Sequence, residues 1–172
     1  IARPTWATSS AWTASAAGMD KILSKLLFRG AGLPTVEATW FGRRQWLADE
    51  AVAVHEVESR RGYPVVGKPA VAGSSVGIAR AAGPAELAKA VNQAIQFSAR
   101  VLVEKAVDDR LEIQCAVLGN HALVVSECEE LTQSAGIVSF EDKYLRRPGA
   151  AEADLAPSQI PARIPADLAQ RA

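Results

Sequence analysis

A lysine beside a glycine- and serine-rich loop is the densest chemical signal in the amino-acid sequence. Lys68 lies in the apolar segment 65–69, and Gly73-Ser74-Ser75-Val76-Gly77 follows shortly after it. A loop without bulky side chains lets backbone N–H groups approach phosphate oxygens, and a nearby lysine adds a positive charge for the same anion. The spacing is not that of a P-loop, G-x-x-x-x-G-K-[ST]. The pattern therefore indicates either a different anion-binding loop or an ordinary Gly/Ser turn beside an exposed lysine.

Other charged residues stand where helices and strands begin or end. Glu104 and Lys105 close an apolar strand, and backbone N–H and C=O groups that leave a sheet can pair with the edge of an adenine ring. A strand end that simply meets solvent has the same pattern. The remaining candidates are single charges: Lys21 just inside a helix, Glu112 on the polar face of a strand, and Lys143 with Tyr144 in a proline-rich loop. Taken one at a time, each is also typical of a solvated surface position.

Hydrophobic periodicity and turn residues place these candidates on a mixed α+β fold with antiparallel pairs, rather than on regular βαβ units. A first helix is predicted after Asp20 as N-cap, with Gly30, Gly32 and Pro34 stopping it. Further helices are predicted over 44–61, over 84–95, and from near Pro165. Strands are predicted over 35–41, 63–69, 76–80, 101–104 and 111–117, with 122–125 pairing back across a Gly119-Asn120 turn. The predicted apolar stripe of the second helix is Leu47, Ala51, Val54 and Val57. Residues 1–18 show little pattern, and 146–165 are predicted to be an extended loop.

The composition indicates a soluble globular chain and argues against two kinds of partner. Of 172 residues, 49% are hydrophobic and 22% are charged, which is typical of a folded domain. Lys plus Arg total 19 and Asp plus Glu total 19, so the balanced charge argues against a nucleic-acid partner. No apolar run approaches the ~20 residues of a membrane span and no secretion signal is visible, so no membrane partner is expected. The low cysteine content is typical of a cytoplasmic protein. Cys115 and Cys128 are expected to be reduced thiols, with a disulfide left open, and the two histidines lack zinc-site spacing.

The candidates become specific when they are considered together and in order. The ordered set resembles the D-alanine–D-alanine ligases, a family of ATP-grasp enzymes, over residues 10–172: Met19-Asp20-Lys21, Lys68-Pro69, Gly73-Ser74-Ser75-Val76-Gly77, Glu104-Lys105, Glu112 and Lys143-Tyr144. The flanking segments 31–34 and 116–120 also fit. Gly67 departs from the family pattern, which usually has Val or Ile at that position.

The resemblance implies an ATP-grasp fold, in which two α+β lobes with antiparallel sheets grip ATP. Residues 1–18 are then the end of a preceding substrate domain or a linker, and residues 19–104 are the central lobe. Residues 105–172 are a partial, truncated second lobe.

The resemblance also implies roles for individual residues, beginning with the phosphates. Lys21 and Lys68 correspond to paired lysines that hold the ATP phosphates. Ser74 and Ser75 correspond to serines of the phosphate loop, with Ser74 near the substrate as well.

For the nucleoside and the closing loop, the resemblance assigns further residues. Glu104, Lys105 and Val107 correspond to the adenine-binding hinge, and Glu112 to the carboxylate that binds the ribose hydroxyls. Lys143 and Tyr144 correspond to a mobile loop that closes over phosphate and substrate. The candidate catalytic residues are therefore Ser74, Lys143 and Tyr144.

The family's reaction joins two D-alanines at the expense of ATP through an acyl phosphate, for peptidoglycan synthesis. The resemblance implies ATP with Mg²⁺ or Mn²⁺, D-alanine as substrate, and a homodimer for the complete protein. Metal ligands and an N-terminal substrate domain are expected outside residues 1–172, so no metal ligand is assigned and the chain alone is not expected to ligate D-alanine. A non-catalytic ATP-binding module and a related ligase using D-lactate or D-serine stay open as alternatives. The ordered motifs argue against a carboxylase-type ATP-grasp enzyme.

Overall fold

The computed structural model describes residues 12–119, 122–131 and 158–170. The chain divides into two units, Ile1–Ala106 and Val107–Ala172. Each unit combines helices with antiparallel strands, which confirms the α+β class predicted from the sequence. Within the described ranges, no helix is both long and apolar enough to cross a bilayer.

The first unit is a four-stranded antiparallel sheet with helices on both faces. Its strands are β1 (Ala38–Gly42), β2 (Val65–Pro69), β3 (Ala79–Ala81) and β4 (Arg100–Lys105). They lie side by side in the order β1-β4-β2-β3. The helices are α1 (Trp12–Met19), α2 (Lys21–Gly30), α3 (Arg43–Ala48), α4 (Glu50–Arg61) and α5 (Pro84–Ala94).

The central strand β4 separates two cores, because its side chains alternate between the faces of the sheet. Val101 and Val103 are buried in the larger core, which α3, α4 and α5 cover. Leu102 is buried in a smaller core with Ile22 of α2. The same alternation places Glu104 on the face that α2 covers.

Two predicted helix starts are confirmed by their caps. The Asp20 carboxylate accepts hydrogen bonds from the backbone N–H groups of Ile22 at 3.0 Å and Leu23 at 3.1 Å, which begins α2. Pro84 occupies the first turn of α5, as predicted. The sequence pattern does not predict α1, whose residues are all at least partly exposed and therefore lack an apolar periodicity.

The region predicted as one helix over 44–61 is two helices, so that prediction is wrong. Helix α3 ends at Ala48, and the Asp49 carboxylate then accepts a hydrogen bond from the backbone N–H of Val52 at 3.0 Å. Because an N-cap has an extended rather than helical backbone, Asp49 interrupts the helical periodicity.

The predicted apolar stripe of this region changes accordingly. Trp46 is 1% exposed, whereas Leu47 of the predicted stripe is 68% exposed. In α4 the buried residues are Ala53 and Val57, and Ala51 is exposed. The break at Asp49 therefore makes Trp46, and not Leu47, the core residue of α3.

Strand β1 begins later than predicted, at Ala38. Side chains of α2 bind the preceding segment instead. Lys25 Nζ donates to the carbonyl oxygen of Val36 at 2.8 Å, and Arg29 Nε donates to Thr35 Oγ1 at 2.7 Å. Segment 35–37 is thus held against α2 before the chain enters the sheet.

Gly67 is explained by the close approach of helix α5 to strand β2. A Cβ atom at Gly67 would lie 3.3 Å from the Cβ of Ala90. That distance leaves little space for the Val or Ile expected at this position, so the departure from the family pattern accompanies tight helix–sheet packing.

The second unit contains short antiparallel strands and a terminal helix. Its strands β5 (Glu112–Gln114), β8 (Glu129–Leu131) and β9 (Ser158–Gln159) form one sheet, and β6 (Val117–Gly119) pairs with β7 (Leu123–Val125). The helix α6 (Ala166–Ala169) follows Pro165, as predicted. The strand predicted over 111–117 is divided between β5 and β6, while the predicted pairing of 122–125 back onto it is confirmed. Asn120 and residues 132–157 lie outside the described residues.

Candidate functional site

Glu104 binds two lysines at the end of strand β4. Its carboxylate pairs with Lys25 Nζ of α2 at 2.8 Å and with Lys68 Nζ of β2. The side chains of Glu104 and Lys25 are each 12% exposed. Lys68 reaches Glu104 because it lies opposite Leu102 in the β2–β4 register, so both strands present these side chains on the α2 face.

Lys21 connects the first turn of α2 to the Gly/Ser loop. Its Nζ donates a hydrogen bond to the carbonyl oxygen of Ala72 at 2.5 Å, and its backbone N–H donates to the carbonyl oxygen of Ala70 at 2.9 Å. Asp20, the cap of α2, also forms an ion pair with Arg100 of β4. These contacts fix the start of α2 against the segment that leads from β2 into the loop.

The structure thus brings Lys21 and Lys68 together beside the Gly/Ser loop. We call Lys21, Lys25, Lys68 and Glu104 the lysine cluster. Whether these residues bind a nucleotide stays a prediction at this point. Sequence reasoning missed Lys25. Its signal was available, since Lys21 and Lys25 are four residues apart and therefore share one face of α2.

The Gly/Ser loop folds into two consecutive tight turns. The backbone N–H of Val76 donates to the carbonyl oxygen of Gly73 at 3.1 Å, and that of Ile78 donates to Ser75 at 3.2 Å. Ser74 and Ser75 have φ values of 53° and 61°, in the left-handed region that residues with a Cβ seldom adopt. Because of these turns the strand predicted from residue 76 begins only at β3. Strained serine backbones held by their surroundings are typical of ligand-binding loops.

Burial and neighbouring charges shift two pKa values in the lysine cluster. Burial lowers the pKa of Lys21, and the positive charge of Lys68 lowers it further, against smaller opposing effects of the nearby carboxylates. For Glu104, burial alone would raise the pKa. The charge of Lys68 and the hydrogen bonds from Lys25 and Lys68 outweigh burial and bring the pKa of Glu104 below its ordinary value. Glu104 is therefore a carboxylate at neutral pH.

Replacing Glu104 by glutamine is expected to lower the free energy of unfolding at neutral pH by about 1.5–3 kcal/mol, the range for hydrogen bonds to a charged group. The folded-state pKa of Glu104 lies below its unfolded value, so its stabilisation is complete above the unfolded pKa of about 4.3. That stabilisation disappears as the pH falls through the folded-state pKa. Urea denaturation across acid pH should therefore show wild type and Glu104→Gln converging. The exposed Glu50→Gln serves as the control, and a gap that stays constant with pH would contradict the ion pairs.

The backbone at the predicted adenine hinge is engaged in the sheet up to residue 106. The N–H of Lys105 donates to the carbonyl oxygen of Glu37 at 3.1 Å, and the N–H of Ala106 donates to Pro64 at 3.0 Å. The Glu104 side chain is directed to the lysines. Contacts of this segment with an adenine therefore depend on backbone carbonyl groups and on N–H groups further along the chain.

The remaining candidate residues belong to the second unit. Val107 is 46% exposed, and the Glu112 carboxylate is 3.4 Å from Nε of Arg110. Lys143 and Tyr144 lie outside the described residues. Among the residues that the structure describes, no group of three or more His, Cys, Asp or Glu side chains is suited to a metal ion. The divalent metal implied by the resemblance is therefore given no ligands in this part of the chain.

Solved structures of ligases share this arrangement of sheets and helices. The D-Ala:D-Ser ligase VanG from Enterococcus faecalis is 32% identical, with a TM-score of 0.72, over 91% of this chain and 42% of that chain. D-alanyl-alanine synthetase A from Vibrio cholerae is 25% identical, with a TM-score of 0.70, over 91% of this chain and 45% of that chain. The fold is therefore that of the ATP-grasp ligases, as predicted from the sequence.

The sequence comparison identifies the family within this class. The family described as D-ala D-ala ligase C-terminus matches residues 27–172. D-alanine–D-alanine ligases from Acetivibrio thermocellus and Shouchella clausii are 37% and 38% identical, over 90% and 91% of this chain. The chain belongs to the D-alanine–D-alanine ligase family, which confirms the resemblance. It spans 38% and 40% of the length of these two relatives.

Proposed function

We propose that this chain is the ATP-binding part of a ligase that joins two D-alanines through an acyl phosphate, for peptidoglycan synthesis. The observation that carries the proposal is the lysine cluster beside the Gly/Ser loop. Three ammonium groups, of Lys21, Lys25 and Lys68, surround the single carboxylate of Glu104. Since Asp20 is paired with Arg100, the cluster retains an excess of positive charge, which suits a triphosphate.

The ion pairs of Glu104 suggest how Lys68 is made available to a phosphate. Glu104 holds Lys25 and Lys68 at the same time, one on each carboxylate oxygen. When Lys68 turns to a phosphate oxygen, Lys25 still neutralises the buried carboxylate. An unpaired charge buried in the sheet would cost several kcal/mol. The exchange leaves no such charge.

Lys21 and the loop complete the proposed phosphate site. The Lys21 ammonium donates to the carbonyl oxygen of Ala72, and its pKa is lowered by burial and further by repulsion from the positive charge of Lys68. An anion between Lys21 and Lys68 would remove that repulsion. We assign Ser74 and Ser75 to the same site, with Ser74 also near the substrate.

The remaining roles follow the family resemblance. Glu104, Lys105 and Val107 line the adenine, Glu112 binds the ribose hydroxyls, and Lys143 with Tyr144 closes over phosphate and substrate. In this family a divalent ion supplies charge neutralisation during phosphoryl transfer, and we assign it no ligand in the described residues.

The proposed function is tested with a protein that contains this chain, ATP, Mg²⁺ and D-alanine. We expect phosphate release that depends on D-alanine, together with D-alanyl-D-alanine detected by chromatography. Since one similar structure is that of a D-Ala:D-Ser ligase, D-serine and D-lactate are supplied in parallel reactions. A mixed dipeptide or depsipeptide as the main product would assign the chain to that related activity. Phosphate release independent of any D-amino acid would contradict the proposal.

Replacing Glu112 by glutamine is expected to weaken ATP binding and to leave the affinity for D-alanine unchanged. Glu112 lies on strand β5, and its carboxylate can accept hydrogen bonds from the two ribose hydroxyls. The loss of a charge-assisted bond corresponds to about 1.5–3 kcal/mol. Apparent affinities for ATP and D-alanine are measured separately by steady-state kinetics, with Gln114→Ala on the same strand as control. A change confined to D-alanine would contradict the ribose role.

A further inference from the structure

Two thiols face each other across adjacent strands of the second unit. Cys115 follows β5, Cys128 precedes β8, and their sulfur atoms lie 2.9 Å apart. The register of the two strands pairs Gln114 with Glu129, so the next pair along the ladder is Cys115 with Cys128. Opposite Cα atoms of an antiparallel ladder are about 4.5 or 5.5 Å apart, and a disulfide accepts about 4.4–6.8 Å. The backbone is therefore already placed for a bond between them.

We propose that Cys115 and Cys128 form a redox-active dithiol, which a low-molecular-weight disulfide oxidises reversibly to an intrachain disulfide. The sulfur atoms need to approach by only about 0.9 Å to reach the S–S bond length of about 2.05 Å. Because the register places the two residues opposite each other, we expect rotation of the two side chains to be sufficient.

The surroundings of the two thiols differ, which determines the order of reaction. Cys115 lines an open cleft of about 450 Å³ together with Glu127 and Glu129. Cys128 is 6% exposed and does not line that cleft. Cys115 is therefore the thiol that an external disulfide reaches first. The two glutamates favour a cationic disulfide over an anionic one.

Oxidation then proceeds by two thiol–disulfide exchanges. The Cys115 thiolate attacks one sulfur of the disulfide R–S–S–R, which forms a mixed disulfide on Cys115 and releases one thiolate R–S⁻. The Cys128 thiolate then attacks the Cys115 sulfur, which closes the intrachain bond and releases the second R–S⁻. In total the chain loses two protons and two electrons, and the small disulfide is reduced to two thiols.

The protonation state of the Cys128 thiol sets the pH dependence of the second exchange. In the dithiol, the hydrogen bond with Cys115, burial and negative charge nearby raise the pKa of Cys128 above its usual value. Burial and the charge of Glu127 persist after Cys115 has formed the mixed disulfide, and both continue to raise the pKa of Cys128. Cys128 is therefore protonated at neutral pH. Ring closure is expected to accelerate as the pH rises, because the thiolate is the attacking species.

The test uses the reduced 172-residue chain and cystamine, a small dicationic disulfide. We expect loss of both free thiols, a mass decrease of about 2 Da with no cysteamine retained, and full reversal by dithiothreitol. Glu127 lies between the two cysteines, so cleavage after it should give two peptides joined by a disulfide. Chains that keep both thiols, end with stable cysteamine adducts or form disulfide-linked dimers would overturn the proposal.

Two comparisons separate the folded geometry from random contact of two nearby cysteines. In urea, ring closure from the mixed disulfide is expected to be at least about tenfold slower, because the strands no longer hold the thiols together. Equal rates in the folded and unfolded chain would contradict the proposal. Cys128→Ser should stop at the Cys115 mixed disulfide, and Cys115→Ser should react much more slowly than Cys128→Ser. The wild-type peptide map decides the outcome if either variant fails to fold.

Discussion

Replacing Lys68 by alanine is expected to weaken ATP binding about ten- to a hundredfold. A charge-assisted hydrogen bond to phosphate contributes about 1.5–3 kcal/mol, and every 1.4 kcal/mol corresponds to about a factor of ten in the dissociation constant. Lys68 lies in the core strand β2, shortly before the Gly/Ser loop. It forms an ion pair with Glu104, which Lys25 also neutralises. The affinity is measured by calorimetric titration of ATP into a protein that contains this chain.

Two measurements make the Lys68 result interpretable. Lys89→Ala removes an exposed lysine from helix α5 and should leave the dissociation constant unchanged. Urea denaturation of Lys68→Ala shows whether the loss of one partner of Glu104 has destabilised the sheet. If the variant is folded and binds ATP as tightly as wild type, Lys68 does not belong to the phosphate site.

The position of Lys21 at the start of α2 and the position of Lys68 close to the loop followed from local patterns. Asp20 is a strong N-cap, so the start of α2 and the position of Lys21 were predictable from neighbouring residues. Lys68 and the loop are joined by a short segment that leaves β2. Their proximity to each other needs no knowledge of the rest of the chain. The approach of Lys21 to Ala72 is a tertiary contact, and only the family resemblance indicated it.

The role of Glu104 as a common partner of two lysines could not be predicted from the sequence. It depends on the neighbourhood of β2 and β4 and on the packing of α2 across both strands. Local sequence patterns give no information on ion pairs between distant residues, and Lys25 and Glu104 are 79 positions apart in the sequence. The pattern at strand β4 instead pointed to a strand end meeting solvent or an adenine. Glu104 is in fact buried, with 9% of the whole residue exposed.

The sequence contains a signal for the break in the second predicted helix. The apolar periodicity across the break was the stronger signal. Asp49-Glu50 is a typical start of a helix, with an N-cap followed by an acid in the first turn. The apolar residues on both sides of it can nevertheless be fitted to one continuous helical stripe. That fit assigns Leu47 to the core, whereas the break assigns Trp46 to it. The two interpretations therefore differ on adjacent residues, which can be tested directly.

Replacing Trp46 by alanine is expected to lower the free energy of unfolding by about 3–5 kcal/mol, the range for deleting a buried aromatic side chain. Trp46 is 1% exposed, stacks on Phe41 with ring centroids 5.4 Å apart, and donates from Nε1 to Asn92 Oδ1 at 2.9 Å. Asn92 is exposed and can turn to water, so the cavity left in the core dominates the loss. The measurement is the urea midpoint of the chain. Unfolding is monitored by circular dichroism at wavelengths that do not depend on tryptophan, because the substitution removes one.

Leu47→Ala is the matched control, because it removes an apolar side chain from the next position of the same helix. Leu47 is 68% exposed, and surface substitutions change stability by no more than about 0.5 kcal/mol. One continuous helix over 44–61 would bury Leu47 and give it a loss of about 2–5 kcal/mol. The ratio of the two effects therefore tests where the helix breaks. A larger loss for Leu47→Ala than for Trp46→Ala would show that Asp49 does not begin a new helix.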